Sequence, residues 1–90
     1  MEKSVHTGGY RVLLGLLVEM RKAAGIRQVD LAKRLKTSQS FVSKVERGEL
    51  RLDVMQLRTV CMALGTTLGE FVEELEKRLG GGAGRGKRAR

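Results

Sequence analysis

The residues from Ser38 to Arg47 have the types and spacing of a surface that makes hydrogen bonds to flat polar edges. At about 100° per residue in a helix, the amide, hydroxyl and ammonium groups fall on one side; these are Gln39, Ser40, Ser43 and Lys44. The other side is apolar and consists of Phe41, Val42 and Val45. Gln can pair with adenine through two hydrogen bonds, Lys can donate to guanine, and Ser can bond to bases or phosphates. The pattern therefore suits a helix that reads nucleic-acid bases, but a solvated surface helix has the same periodicity.

The distribution of charge favours the nucleic-acid interpretation. The formal net charge is +8, and residues 21–51 carry nine Lys or Arg against three acids. Residues 68–80 have a net charge of −2, whereas the last ten residues add +4. Positive charge concentrated around a polar helix suits a polyanion, and the acidic segment suits a different partner.

Stretches of helical periodicity, separated by glycines and capping residues, must position this polar face. The first runs from Tyr10 to Ala24 and stops at Gly25, a typical helix-ending residue. Ser38 and Asp53 are expected to cap the third and fourth helices, and Thr67-x-x-Glu70 is a capping box for the fifth. The expected bounds of the second to fifth helices are 28–35, 38–47, 53–64 and 67–79.

These elements predict an all-α fold with one domain over residues 10–79. Residues 1–9 are expected to form a disordered arm, and residues 80–90 a flexible Gly/Arg/Lys tail. The chain lacks an apolar stretch of about 18 residues, so no membrane span is expected, and its start lacks a secretory-signal pattern. A cytoplasmic, nucleoid-associated protein is expected.

The residues that could carry catalysis or bind a metal are sparse. His6 lies in the expected arm, and Cys61 falls on the apolar stripe of the fourth helix. Neither has a second His or Cys with which to form a metal site or a nucleophile–base pair. We therefore expect no enzymatic activity, no cofactor and no metal.

The spacing of these residues resembles the helix-turn-helix domain of the lambda-repressor/Cro family, also called the xenobiotic-response-element family. The matching motifs are Arg21, Gln28-x-x-Leu31-Ala32-x-x-Leu35, Ser38-Gln39-Ser40-x-Val42-Ser43-x-Val45-Glu46-x-Gly48 and Leu57-x-x-Val60-Cys61-x-x-Leu64-Gly65. They cover roughly residues 13–72. The resemblance implies a five-helix lambda-repressor-like fold in which the second and third helices form the DNA-reading pair.

The resemblance also implies a role for individual residues. Base reading is expected from Gln39, Ser40, Ser43 and Lys44, and DNA-backbone contacts from Gln28, Arg27, Ser38, Arg47 and Arg51. Gln28 could also brace Gln39. Arg21 and Glu46 match positions that form a structural ion pair, although both could be solvated charges.

Two residues depart from the family pattern. Arg27 stands where Thr or Ser usually caps the second helix, and loss of that cap would cost on the order of 1 kcal/mol. Lys36 stands where Gly or Asn is common, so a left-handed turn there would carry strain.

The function implied is that of a sequence-specific transcriptional regulator that binds double-stranded DNA as a homodimer on a palindromic operator. The dimer is expected to form mainly through the last helix, at Leu68, Val72, Leu75 and Leu79, although these residues could instead pack within one monomer. Two alternatives stay open: an antitoxin-type regulator that also binds a partner toxin, and a nonspecific nucleic-acid or transcription bridging factor that contacts polymerase.

Overall fold

The computed structural model describes residues 8–80, which form five α-helices joined by short turns and contain no strand. The helices are α1 (Gly8–Ala23), α2 (Gln28–Leu35), α3 (Gln39–Glu46), α4 (Val54–Ala63) and α5 (Leu68–Arg78). The predicted all-α, five-helix fold is confirmed. Gly8 and Gly9, assigned to the arm from the sequence, instead begin α1. Glycine costs a helix only about 1 kcal/mol relative to alanine, so two glycines can extend a helix whose following residues, from Tyr10 onward, are anchored in the core. The rest of the expected arm (1–7) and tail (81–90) lies outside the described residues.

Side-chain caps begin α3 and α4 as the sequence predicted. The Ser38 hydroxyl accepts a hydrogen bond from the Phe41 amide at 3.1 Å. Asp53 accepts from the Gln56 amide at 2.7 Å, and the Gln56 side chain accepts from the Asp53 amide at 2.8 Å. This reciprocal pair satisfies two backbone donors that would otherwise lack partners.

The capping box predicted at the start of α5 is only half formed. Thr67 accepts from the Glu70 amide at 3.0 Å, as expected. The Glu70 carboxylate, however, accepts from the Thr66 hydroxyl at 2.9 Å, and it does not reach back to the Thr67 amide. A hydroxyl one residue earlier competes for the same carboxylate, and the motif alone does not reveal this competition.

The core lies between the helices and contains the apolar stripes of all five. Its most deeply buried side chains are Leu16 of α1, Cys61 of α4 and Phe71 of α5. The inner sides of α2 and α3 close the same cluster, and their buried residues are Leu31, Ala32, Val42 and Val45. Burial of these residues anchors α3 from behind and leaves its polar side outward.

Within residues 8–80, none of the helices has the length and apolar character needed to span a lipid bilayer.

Candidate nucleic-acid interface

The polar side of α3 faces solvent. Gln39, Ser40 and Lys44 are exposed, and Ser43 is half-buried. On the opposite side, Val42 and Val45 are buried in the core. The helix is thus held by its apolar side while its amide, hydroxyl and ammonium groups stay available to a ligand.

The turn between α2 and α3 is set by a left-handed residue. Lys36 has φ 59° and ψ 45°, and it is the only non-glycine residue with positive φ among residues 8–80. Its amide donates to the Lys33 carbonyl at 3.1 Å, and the Thr37 amide donates to the Ala32 carbonyl at 2.9 Å. These bonds close the end of α2 and direct the chain into α3 after three residues. The left-handed turn anticipated at Lys36 is present.

The start of α2 compensates for the capping hydroxyl that the sequence lacks. The Asp30 carboxylate accepts from the Arg27 amide at 3.0 Å, and from its guanidinium at 2.9 and 3.0 Å. The hydrogen bonds from the Arg27 side chain, then that from its backbone, lower the pKa of Asp30 from 3.8 to about 2. As expected, α2 has no side-chain cap on its first amides. The Asp30 carboxylate instead reaches back to the Arg27 amide, a contact that the sequence did not predict. Arg27 remains exposed.

A buried ion pair ties α1 to the end of α3. The Arg21 Nε lies 2.6 Å from Glu46 Oε2, and the side chains are only 8% and 10% exposed. Arg21 also donates through Nη2 to Glu46 Oε1 at 3.0 Å, and through Nη1 to the Ile26 carbonyl at 2.8 Å. Truncating one partner would leave a buried charge unpaired, a loss of about 3–5 kcal/mol.

The same carboxylate begins a chain of hydrogen bonds that ends on the outer face of α3. Gln28, the first residue of α2, donates from Nε2 to Glu46 Oε1 at 2.8 Å. Gln39, the first residue of α3, donates from Nε2 to Gln28 Oε1 at 3.2 Å. The bracing of Gln39 by Gln28 that the resemblance implied is present. Its continuation to Glu46 was not anticipated, because only the tertiary fold brings residue 28 beside residue 46.

Arg47, at the C-terminal end of α3, is engaged by a carboxylate that the sequence analysis overlooked. Its Nε and Nη2 donate to the two carboxylate oxygens of Glu49 at 2.9 and 3.1 Å. Its Nη1 donates to the Ser43 hydroxyl. The hydrogen bonds from Arg47 lower the pKa of Glu49, and those to Glu49 raise the pKa of Arg47. The sequence Arg47-Gly48-Glu49 could have indicated this contact, because a glycine that ends a helix allows a turn that brings its two neighbours together.

Arg51 is positioned by α1. Its guanidinium carbon lies 4.2 Å from the centre of the Tyr10 ring, which is the geometry of a cation–π contact. Tyr10 is half-buried and packs against the core, as expected of a packing residue. The ring therefore holds a cation near the turn that follows α3.

Comparison with known proteins decides what this arrangement is. The helix-turn-helix family model matches residues 17–71, more than half of the chain. The chain belongs to the XRE-type helix-turn-helix family. By that membership it contains a DNA-binding domain of the kind found in transcription regulators. Comparison with curated protein sequences gives no match.

Two solved structures resemble this XRE-type protein closely. The XRE-family like protein from Pseudomonas syringae pv. tomato str. DC3000 is 45% identical over 86% of this chain and 94% of its own, with a TM-score of 0.78. The clp gene regulator ClgR from Corynebacterium glutamicum is 25% identical over 81% of this chain and 78% of its own, with a TM-score of 0.70.

The last helix of the XRE-type domain divides its apolar residues between the core and the surface. Leu68 and Leu75 are half-buried and pack against the core, whereas Val72 and Leu79 are 39% and 46% exposed. Two of the four residues expected at a dimer interface thus already contribute to the monomer. Arg78 holds α5 against α1 through bonds of 2.8 and 2.9 Å to Glu19.

Exposed apolar side chains also lie on α4, where the sequence-based predictions did not place any. Val54, Met55 and Met62 are 63%, 64% and 54% exposed. The three- and four-residue spacing of Leu57, Val60, Cys61 and Leu64 identifies only the buried side of α4.

The side chains in residues 8–80 form no group of three or more His, Cys, Asp or Glu that could hold a metal ion. Cys61 is buried, and burial raises the pKa of its thiol.

Proposed function

We propose that this XRE-type protein is a sequence-specific transcriptional regulator that inserts α3 into the major groove of an operator. The observation that carries the proposal is the division of α3 into a buried apolar side and an exposed side of amide, hydroxyl and ammonium groups. Such groups match the donors and acceptors of base edges. The name of the ClgR structure, a clp gene regulator, gives further support.

The residues of this surface fall into two classes with different expected behaviour. Gln39, Ser40, Ser43 and Lys44 would read base edges, and Arg27, Gln28, Ser38, Arg47 and Arg51 would contact the sugar-phosphate backbone. Backbone contacts fix the position of the protein, whereas base contacts determine which sequence is bound. The engagement of Arg47 by Glu49 means that its guanidinium would exchange a carboxylate for a phosphate on binding.

Binding would involve two copies on a palindromic operator. One domain of this size covers few base pairs, and related regulators place two reading helices about 34 Å apart. The exposed Val72 on α5 and Leu79 directly after it are the surface that we assign to the second copy. Occupancy of a promoter by this dimer is the proposed mode of regulation, and it needs neither catalysis nor a cofactor.

A second candidate function, binding of a protein partner, is favoured by the exposed apolar side of α4. Three large apolar side chains there, Val54, Met55 and Met62, are more than half exposed, and apolar side chains grouped on one exposed helix can serve as a protein contact. Such a partner would be a toxin in an antitoxin-type regulator, or polymerase in a bridging factor. Co-purification of a second small protein would favour this candidate.

In vitro selection of DNA from a random pool, with the full chain as bait, tests the primary proposal. We expect a palindromic consensus. Gln39→Ala should then lose about 1–3 kcal/mol of discrimination at one base pair of each half-site, whereas Arg47→Ala should weaken all DNA sequences similarly. Thr59→Ala, on the outer side of α4, is the control and should change neither. A pool that stays random after selection would contradict sequence-specific binding.

A further inference from the structure

The hydrogen-bond chain from Arg21 to Gln39 has a fixed direction. Glu46 is a buried carboxylate, and an ionised carboxylate can only accept hydrogen bonds. Its Oε2 accepts from Arg21 Nε, and its Oε1 accepts from both Arg21 Nη2 and Gln28 Nε2. The Gln28 amide must therefore direct its NH₂ group at Glu46, which leaves its carbonyl oxygen facing Gln39.

The orientation of the Gln28 amide in turn fixes the orientation of the Gln39 amide. The carbonyl oxygen of Gln28 can only accept, so Gln39 must direct one N–H at it, and the 3.2 Å contact joins these atoms. The Gln39 amide then keeps one N–H donor and its carbonyl acceptor for a ligand. A side-by-side donor and acceptor match adenine, which presents the N7 acceptor and the N6 amino donor in the major groove.

We infer that Glu46 is a positioning residue that sets the orientation of the Gln39 amide through Gln28, and thereby the preference of the protein for adenine over guanine at the base that Gln39 reads. The inference rests on the proposed function. It assigns to the buried Arg21–Glu46 pair a role in base selection in addition to its role in joining α1 to α3. Neither Glu46 nor Arg21 needs to approach the DNA for this role.

The substitution Glu46→Gln replaces a group that can only accept hydrogen bonds with an amide that can also donate. It should therefore reverse the direction of the hydrogen bonds that lead to Gln39. Arg21 has only donors, and its shortest contact is the 2.6 Å bond from Nε to Oε2, so the new amide would keep its carbonyl there and place its NH₂ at the Oε1 position, towards Gln28. Arg21 Nη2, which also donates to Oε1, would lose that bond. Gln28 would then turn its carbonyl inward and its NH₂ towards Gln39, and Gln39 would turn its own carbonyl towards Gln28. Gln39 would present two N–H donors to the groove. That set matches guanine, whose O6 and N7 are both acceptors.

The experiment measures the ratio of affinities for two operators that differ only by adenine or guanine at the base pair whose discrimination Gln39→Ala abolishes. The wild type should prefer adenine about tenfold or more, in line with a bidentate contact. Glu46→Gln should reduce the ratio to about one or invert it. A loss of folded protein lowers both affinities equally, so the ratio is insensitive to the destabilisation that this change causes.

Gln28→Met is the second variant, because it interrupts the chain and leaves the Arg21–Glu46 pair intact. Its Gln39 amide is free to turn, so the ratio should fall to within about threefold of unity. Loss of a phosphate contact by Gln28 would instead weaken both operators alike. Gln56→Met, a glutamine change on α4, is the control and should keep the wild-type ratio.

The outcomes separate the two claims. If the wild type discriminates at this base pair while Glu46→Gln and Gln28→Met keep its ratio, the positioning role is overturned and the proposed function stands. If the wild type prefers no base at any position, the proposed function fails and the inference fails with it.

Discussion

At the scale of single residues, two acidic side chains hold the polar groups of the α3 surface in place, although a carboxylate would itself be repelled by DNA. Glu46 is buried under the surface and accepts from Gln28, and Glu49 is exposed and holds Arg47. Each carboxylate thus restricts the conformation of a side chain, Gln28 or Arg47, that we propose to contact DNA. Arg47 in the free protein is thus paired with a carboxylate, and this pair must open before its guanidinium can contact a phosphate.

Removal of the Glu49 charge should therefore strengthen DNA binding. Glu49→Gln frees Arg47 for a phosphate and removes a like-charge repulsion, so affinity should rise severalfold for all DNA sequences. The dependence of log K on log salt should keep its wild-type slope, because Arg47 contacts the same phosphate in both complexes. Titrations of specific and random duplexes at several salt concentrations measure both quantities.

Glu76→Gln on α5 makes the same change in net charge away from α3, and it is the matched control. An equal gain in affinity by both variants would contradict a local role of Glu49, because it would attribute the effect to net charge alone.

At the scale of the elements, the helix-turn-helix unit depends on how α2 begins and ends. It begins with a carboxylate that reaches back to Arg27, and it ends with a lysine held in the left-handed region. Both are local solutions in place of the more usual capping hydroxyl and glycine. Each predicts a measurable effect on stability.

Lys36→Gly should stabilise the protein. A left-handed conformation costs an L-residue about 1–2 kcal/mol, and glycine avoids this cost but loses more entropy on folding. The net gain in the free energy of unfolding should be about 0.5–1 kcal/mol, measured by urea denaturation. Lys33→Gly, in the interior of the same helix, should instead destabilise by about 1 kcal/mol. A loss of stability in Lys36→Gly would contradict the strain assigned to this turn.

The cap at Asp30 should give a defined dependence of stability on pH. Its pKa is about 2 in the folded protein against an ordinary 3.8. The stabilisation is therefore fully present above the ordinary pKa and is lost as the pH falls from about 4 to about 2. Asp30→Asn should be less stable than the wild type at neutral pH, and the difference should shrink across this window in acid denaturation. A difference that stays constant with pH would show that the carboxylate charge is not its cause.

At the scale of the whole molecule, the distribution of exposed apolar residues leaves two surfaces for a second chain. Val72 on α5 and Leu79 at its C-cap are the exposed members of an apolar stripe whose other residues, Leu68 and Leu75, pack against the core. Val54, Met55 and Met62 on α4 are more exposed. The proposed dimer uses α5. The α4 surface is the alternative against which it must be tested.

Val72→Asp should weaken dimerisation, because it places a charge in the proposed contact, and sedimentation velocity over a range of concentrations measures the effect. Met55→Asp is the matched change on α4 and should leave the dimer intact. Circular dichroism checks that both variants retain their helices. Dissociation by Met55→Asp alone would move the interface to α4, and a wild type that stays monomeric with and without DNA would overturn the dimer.

The sequence by itself determined the number of helices, their bounds to within two residues, and the side of α3 that faces solvent. These follow from periodicity and from caps such as Ser38 and Asp53, which act between residues three or four positions apart. The family resemblance already implied the Arg21–Glu46 pair and the contact of Gln28 with Gln39. Only the tertiary structure decided the bond from Gln28 to Glu46 that joins them, and the pairing of Arg51 with Tyr10. Such contacts join residues distant along the chain, and their distances and hydrogen-bond directions depend on how the helices pack around the buried core.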